Sequence, residues 1–237
     1  MGRAFEYRKA AKMKRWGNMS RVFPKLARAI EVAAKTGVPD PEMNSALRTA
    51  ILNAKAENMP KANIDAAIKR ATGKDAANFS EVNFEGKGPH GALIFVETAT
   101  DNNTRTVANI KMYFNKTQGQ VVPTGSLEFF FDRKAIFEFN KPSNYELEDL
   151  EMELIDAGLE ELEEEEDGVI LAYANYIDFG NMNNKFEELG IELTKAELKR
   201  ISNNPQEFTE AQQEDIGKLI EKLEDDDDVQ AVYTNIA

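Results

Sequence analysis

Basic side chains cluster near the start of the chain at spacings that suit phosphate binding. Arg8, Lys12 and Arg15 follow an i, i+4, i+7 pattern, which places them on one face of a helix. Clustered cations held by a scaffold are nearly all that binding to a phosphate chain requires. Tyr7 and Trp16 lie among them and could stack on exposed bases. The alternative is an ordinary solvated basic face. We expect phosphate contacts from Arg8, Lys9, Lys12, Lys14, Arg15, Arg21, Lys25 and Arg28.

The charge of the chain is distributed unevenly along its length. Over all 237 residues the net charge is −13, but residues 1–75 carry 16 Lys and Arg against 7 Asp and Glu. Residues 76–237 carry 13 basic and 35 acidic side chains, whereas residues 1–35 alone carry 10 basic and 2 acidic ones. Opposite charge on two parts of one chain predicts one part that meets a polyanion and another that stays clear of it.

The sequence carries little of the chemistry that enzymes use. The chain has no cysteine, which excludes disulfides, thiolate nucleophiles and cysteine-ligated metals. Its single histidine, His90, lies in the GKGPHG turn without a recognisable partner, so we interpret it as a loop residue. The carboxylate runs at 163–167 and 225–228 lack the spacing and turn glycine of a calcium loop, and we interpret both as solvated turns. We therefore predict no enzyme activity, no cofactor and no metal site.

Two polar turns in the middle of the chain are further candidates for contacts. In the TATDNNTRT stretch, Asp101, Asn102 or Asn103 could cap the helix that follows, a purely structural role. Arg105 opposes the dipole at that helix start, which favours a partner carboxylate or a bound phosphate. The sequence favours neither alternative. The candidate loop contacts are Lys87, Asn102 and Arg105.

Helical patterns fill the first part of the chain, and apolar residues such as Phe23, Leu26 and Ile30 recur on one helix face. Four helices are predicted: one over residues 5–16, one from about residue 20 to Gly37 with Pro24 in its first turn, one containing Leu47, Ile51 and Ala54, and one from Pro60 to Gly73. Residues 1–75 are therefore predicted to form a basic, all-α, nucleic-acid-binding domain.

Strand patterns alternate with helices after Gly73. Strands are predicted at 82–85, 92–98, 126–131, 135–139, 159–162, 169–173, 191–198 and 229–233, with helices near 103–116, 147–154, 178–189 and 216–223. Capping-box spacing at Ser143 and Glu146, and again at Thr209 and Gln212, indicates two of the helix starts. Residues 135–198 then follow a βαββαβ order, which is typical of a ferredoxin-like unit.

The fold class predicted from these patterns is α+β with three domains. An N-terminal all-α domain of residues 1–75 precedes two α/β domains, one inserted in the other. The outer α/β domain is predicted to be discontinuous, with residues 76–132 and 206–237, because the end of the chain supplies a helix and a strand that the first segment lacks. The inserted ferredoxin-like domain would comprise residues 133–205.

Several stretches resemble the YebC/PmpR family, among them RKAAKMKRW, FPKLARAIEVAAKTG, AKAENMPKANIDAAIKRATG, FEGKGPHGALIFVETATDNNTRT and GSLEFFFDRKAIFEF. The family usually begins with a Gly-His-Ser-Lys-Trp-like segment, and GRAFEY stands in its place here. The resemblance implies a helical domain and two α/β domains around a cleft. It also implies a bacterial cytoplasmic or mitochondrial protein, described in most members as a DNA-binding transcriptional regulator. Some members act in translation instead and help ribosomes past stretches such as consecutive prolines.

We therefore predict a cytoplasmic, non-enzymatic regulator of gene expression that binds DNA through its N-terminal domain. The alternative is a ribosome-associated translation factor that uses the same basic residues on ribosomal RNA. A third class is a protein–protein adaptor, whose partner binding would survive neutralisation of the N-terminal cations. No apolar run approaches the ~18 residues of a membrane span, and the N-terminus lacks the apolar region of a secretory signal, so no membrane association is expected.

Overall fold

A computed structural model describes residues 19–73, 76, 78–165 and 168–237 of the chain. In order, the helices and strands of these residues are α1 (Met19–Thr36), α2 (Ser45–Ala56), α3 (Lys61–Ala71), β1 (Ser80–Lys87), β2 (Leu93–Thr100), α4 (Asn103–Lys116), β3 (Gln120–Val122), β4 (Phe131–Asn140), α5 (Leu147–Ile155), β5 (Leu159–Glu164), β6 (Val169–Asn175), α6 (Phe179–Glu188), β7 (Leu193–Ser202), α7 (Glu210–Glu224) and β8 (Val229–Thr234). The predicted helix at 5–16 lies outside them. The described helices include none with both the length and the apolar character that crossing a bilayer requires.

The three N-terminal helices pack around one small apolar core, which includes Ile30, Leu47 and Ile64. Asn44 fixes the turn before α2, because its Oδ1 accepts a hydrogen bond from the Leu47 amide at 3.0 Å while its Nδ2 donates to two backbone carbonyls. The start of α1 differs from the prediction. This helix begins at Met19, so Pro24 lies inside the helix rather than in its first turn.

The first sheet combines strands from two distant parts of the chain. Its order is β3-β1-β2-β8, and every neighbouring pair is antiparallel. The C-terminal strand β8 pairs with β2, and α7 and α4 contribute Leu219, Leu223, Ile110 and Phe114 to a core beneath the sheet. The predicted nesting of one α/β unit within another is therefore confirmed, whereas the exact domain boundaries stay a prediction. Thr209 and Gln212 form the predicted capping box of α7.

The second sheet has the strand order β5-β6-β4-β7 and is antiparallel throughout. With α5 and α6 in the two crossovers, this arrangement confirms the ferredoxin-like βαββαβ unit. Phe137, Phe139 and Phe186 form an aromatic cluster in its core, with ring centroids 5.1–5.3 Å apart for the pairs that include Phe186. The predicted capping box of α5 is absent. Glu146 occupies the N-cap position and its side chain makes no capping hydrogen bond.

The strand predicted at 126–131 is wrong. Residues 128–130 form a short 3₁₀ helix, and the strand that pairs with β1 is Gln120–Val122. The reason is the fully buried Glu85, whose carboxylate accepts hydrogen bonds from the Gly125 and Leu127 amides at 2.6 and 2.5 Å. Gly125, just before the predicted strand, has a positive φ of 89°, so the chain turns at this point. Most of the apolar LEFFF run, residues 127–131, therefore belongs to a loop that the buried carboxylate of Glu85 holds through backbone amides.

One of the contacts between the N-terminal helices and the second sheet is a side-chain amide that bonds to the backbone of an edge strand. Asn53 of α2 donates to the Ala196 carbonyl at 2.7 Å and accepts from the Ala196 amide at 3.0 Å. Ala196 lies on β7, an edge strand of the sheet. Asn53 therefore satisfies a backbone donor and acceptor that the edge strand would otherwise leave unpaired.

Replacing Asn53 should weaken this junction measurably. Asn53→Ala leaves the buried amide and carbonyl of Ala196 without partners, which we expect to cost about 2 kcal/mol and to lower Tm by roughly 4–8 °C. Thermal unfolding followed by circular dichroism is the measurement. Lys55→Ala, at an exposed position of the same helix, is the control. Equal Tm values for the two variants would show that the Asn53 amide contributes nothing to stability.

Candidate nucleic-acid interface

Two basic residues of α1, Arg21 and Arg28, lie against the acidic end of α7 and the turn that follows it. Arg21 forms ion pairs with Asp225 and, at 3.7 Å, with Glu221. Arg28 donates from Nη1 to Asp228 Oδ1 at 2.8 Å and to the Ala99 carbonyl at 2.6 Å. Both arginines therefore already have carboxylate partners within the fold, with which a phosphate would compete.

The remaining predicted contacts of the N-terminal set divide into two groups. Lys25 is half-buried on α1. The other five lie outside the described residues: Arg8, Lys9, Lys12, Lys14 and Arg15. Phosphate contact by all eight basic residues thus remains a prediction.

Asp228 is the centre of a polar network that joins α1, α4 and the first sheet. Its side chain is only 2% exposed and accepts hydrogen bonds from Arg28, from Arg105 and from the hydroxyls of Thr100 and Thr106. Burial alone would raise the pKa of Asp228, but the hydrogen bonds from Arg105, Arg28 and Thr106 outweigh it and hold this pKa below its usual value. The same contact with Asp228, followed by that with Asp101, raises the pKa of Arg105.

Asp226 has an equivalent role two residues earlier. It accepts hydrogen bonds from the Asn109 amide and the Tyr113 hydroxyl of α4, both at 3.0 Å. Burial and this hydrogen bond raise the pKa of Tyr113 to about 12. The prediction that 225–228 form a solvated turn is therefore wrong for the two alternate residues Asp226 and Asp228, which are buried.

Of the three candidate loop contacts, Asn102 and Arg105 bond to other residues of the fold. Asn102 is the N-cap of α4, because its Oδ1 accepts from the Arg105 amide at 3.1 Å. Arg105 is held by Asp228 and Asp101, so the partner carboxylate suggested by its position is present. Lys87 is exposed at the end of β1, and within the described part of the chain it forms no ion pair. Nucleic-acid contact by these three residues remains a prediction.

The GKGPHG turn is more ordered than a plain loop. Residues 89–91 form a 3₁₀ turn in which His90 has a positive φ of 58°. His90 Nε2 lies 3.0 Å from Asp215 Oδ2 of α7, and hydrogen bonds from His90 and Lys218 lower the pKa of Asp215. The interpretation of His90 as a residue without a partner is therefore corrected. No group of three or more potential metal ligands occurs among the described residues.

A cleft of about 620 Å³ lies between the two sheets and was not predicted from particular residues. Its lining combines both signs of charge with aromatic and amide side chains from β1, β4, β6, β7 and the adjoining turns, namely Arg133, Arg200, Tyr176, Glu128, Asp132 and Asn83. Arg133 lies over the Tyr176 ring at 4.3 Å. The only sequence signal was the FFFDRK run, where three aromatic residues precede a basic pair.

Arg200 forms the fixed side of this cleft. Its side chain is 8% exposed, its Nε donates to Glu97 Oε1 at 3.0 Å, and its guanidinium lies 3.8 Å from the centroid of the Phe95 ring. Glu97 also accepts from the Tyr233 hydroxyl at 3.2 Å. These contacts run from β7 to β2 and β8, so they fix the second sheet against the first.

Comparisons with known proteins agree with this architecture. A family model described as the N-terminal domain of TACO1/YebC proteins matches residues 3–74, and one described as their second and third domain matches residues 79–236. The chain is 62% identical to a "probable transcriptional regulatory protein" of Wolinella succinogenes and 61% identical to one of Sulfurimonas denitrificans, with 100% of each chain covered.

A solved structure has the same fold. The crystal structure of a conserved hypothetical protein of Aquifex aeolicus is 33% identical and superposes with a TM-score of 0.73, covering 92% of this chain and 89% of that one. The family matches extend over both the helical and the α/β parts, and the resemblance seen in the sequence is confirmed. The chain belongs to the TACO1/YebC family.

Proposed function

We propose that this protein is a non-enzymatic, cytoplasmic regulator of gene expression that binds DNA through its N-terminal basic residues. The observation that carries the proposal is the composition of residues 1–35, which hold 10 basic and 2 acidic side chains in a chain of net charge −13. Such a concentration of cations supplies the sequence-independent part of binding to a phosphate backbone. The names of the relatives, probable transcriptional regulatory proteins, support a role in transcription.

The ion pairs of α1 favour the basic residues before this helix as the main phosphate contacts. Because Arg21 and Arg28 contact carboxylates of the fold itself, they anchor α1 beside α7. The basic segment joins the described structure at Met19, immediately before this anchored part. The proposal therefore rests chiefly on Arg8, Lys9, Lys12, Lys14 and Arg15, with Arg21 and Arg28 fixing the scaffold that carries them.

A second candidate function is binding to ribosomal RNA during translation. The observation that favours it is the cleft, where exposed aromatic and amide side chains lie beside carboxylates. RNA is recognised mainly at unpaired nucleotides, by stacking and by hydrogen bonds to base edges, whereas duplex DNA is read by elements that enter its grooves.

Crosslinking in cells, followed by sequencing of the bound nucleic acid, tests both functions at once. Enrichment of promoter DNA is the expected result, and enrichment of ribosomal RNA would support the translation function instead. Recovery of neither above the level of an uncrosslinked control would contradict both. The Lys12→Ala/Arg15→Ala variant, expressed at the same level, should recover less of whichever polymer is found.

A further inference from the structure

Large exposed apolar side chains occur in the cleft lining or directly beside lining residues in the chain. Phe129 is 87% exposed and follows Glu128, which lines the cleft. Tyr176, which also lines the cleft, is 40% exposed, and the next residue, Ile177, is 70% exposed. Exposure of a phenylalanine to this degree forfeits the free energy of burying it and leaves its ring free to stack on a ligand.

The backbone around Phe129 is fixed from both sides. Glu85 holds the preceding Gly125 and Leu127 amides from within the first sheet. Asn203 donates from Nδ2 to the Phe129 carbonyl at 2.7 Å and from its amide to the Phe130 carbonyl at 3.1 Å. The neighbours Leu127 and Phe131 are both buried. The backbone that carries the exposed ring is therefore fixed before any ligand arrives, which lowers the entropic cost of stacking on the ring.

The charged groups of the cleft limit what it can bind. Arg133 is exposed and forms no ion pair with any residue that the structure describes, so it is available to a phosphate. Arg200 is already paired with Glu97, and Lys134 with Glu160. Two lining carboxylates add negative charge: Glu128 and Asp132. A duplex, which presents a phosphate chain on each side, would meet repulsion here, whereas neutral bases would not.

The remaining lining groups match the edges of bases. The Asn83 side chain is exposed and makes no hydrogen bond within the described ranges, and an amide offers both donors and an acceptor. Carboxylates such as Glu128 accept hydrogen bonds from the exocyclic amino groups of bases. The aromatic rings supply stacking, which every base can use. The volume of about 620 Å³ lies within the usual range of ligand sites.

We infer that this cleft binds unpaired nucleotides, with bases stacked on Phe129 and Tyr176 and a phosphate held by Arg133. The inference rests on the proposed function, since it names a second site on a nucleic-acid-binding protein and the form of nucleic acid that occupies it. The shared chemistry is a single strand with unstacked bases, which either an RNA loop or a melted DNA strand provides.

Binding of short labelled oligonucleotides to the full-length protein tests the inference. The probes are a single-stranded RNA of about ten nucleotides, the DNA of the same sequence, and that DNA annealed to its complement. We expect Phe129→Ala/Tyr176→Ala to weaken single-strand binding by at least about tenfold, because each lost stack is worth roughly 5- to 150-fold. Duplex binding should stay unchanged. A difference between the RNA and DNA strands would identify the source of the unpaired nucleotides.

Met152→Ala is the matched control, because it removes an exposed large apolar side chain from α5, outside the cleft lining. Unchanged single-strand affinity of the Phe129→Ala/Tyr176→Ala variant, or an equal loss in Met152→Ala, would overturn the inference. An equal loss of duplex binding and single-strand binding in the Phe129→Ala/Tyr176→Ala variant would do so as well.

The same assay separates this inference from the proposed function. If Lys12→Ala/Arg15→Ala weakens binding to every probe and the aromatic variant changes nothing, the cleft inference fails and the proposed function stands. If only the aromatic variant loses affinity, the cleft is the binding site and the role of the N-terminal cations fails.

Discussion

Asp228→Ala should destabilise the protein by about 3 kcal/mol, which corresponds to a fall in Tm of roughly 6–12 °C. Asp228 is buried and receives hydrogen bonds from two arginines and two threonines. Removal of its carboxylate leaves the Arg28 guanidinium, which is only 19% exposed, without a counterion. A cation left unpaired at a largely buried position costs more than the pair contributed.

Asp227→Ala is the control for this prediction. Asp227 belongs to the same acidic run and its removal changes the net charge equally, but its side chain is exposed. Thermal unfolding of both variants at neutral pH gives the comparison. A Tm of Asp228→Ala within a degree or two of that of Asp227→Ala would show that the network does not hold α1 to the first sheet.

The contribution of Asp228 should also depend on pH in a defined direction. Its pKa in the folded protein is lowered, so its stabilising effect is fully present above the pKa of the unfolded chain, about 3.9. It is lost as the pH falls through the lower folded value. The Tm difference between the wild-type protein and Asp228→Ala should therefore be constant from pH 7 down to about pH 5 and shrink below about pH 4.

Local patterns predicted the ferredoxin-like unit well, because each of its elements has its own signal. Its helices are indicated by apolar residues on one face and by a glycine after the last turn, and its strands are indicated by the apolar segments between these helices. The Thr209 capping box is likewise a contact between residues three positions apart. Features of this kind depend on residues that are close in sequence, so they can be predicted without knowledge of the tertiary structure.

The polar network could not be predicted in the same way. The four carboxylates at 225–228 are chemically identical in the sequence, and only the tertiary structure decides that Asp226 and Asp228 point inward. Two partners of Asp228, Arg105 and Arg28, lie 123 and 200 positions away from it in the chain. The predicted separation of the basic residues 1–75 from the acidic residues 76–237 is also too simple, because Arg21 and Arg28 form ion pairs with carboxylates of the acidic part.

Lys12→Ala/Arg15→Ala should weaken binding to nucleic acids of every sequence. If the basic residues cover about six phosphates, log affinity falls with log salt at a slope near −5, and the loss of two contacts reduces that slope by about two units. The expected loss of affinity is therefore largest at low salt. Fluorescence anisotropy with a duplex DNA of mixed sequence, repeated over a range of salt concentrations, gives both quantities.

Lys61→Ala/Lys69→Ala is the control for this pair of substitutions. Both lysines are exposed on α3, and the variant changes the net charge by the same amount. This control variant should retain most of the wild-type slope, because we expect the smaller slope of Lys12→Ala/Arg15→Ala to come from lost phosphate contacts and not from the change in net charge. Identical slopes for the two double variants would refute a specific role of Lys12 and Arg15, and partner binding that survives both would favour a protein–protein adaptor.

The salt dependence of the wild-type protein tests the central claim most directly. Full-length protein is titrated onto labelled duplex DNA and, in parallel, onto labelled total RNA from cells. Each titration is repeated at salt concentrations that span the physiological value. A slope of log affinity against log salt near −5 is the result expected for a chain whose basic N-terminal residues contact about six backbone phosphates. Affinity that does not change with salt, or no binding to either polymer at low salt, would contradict it.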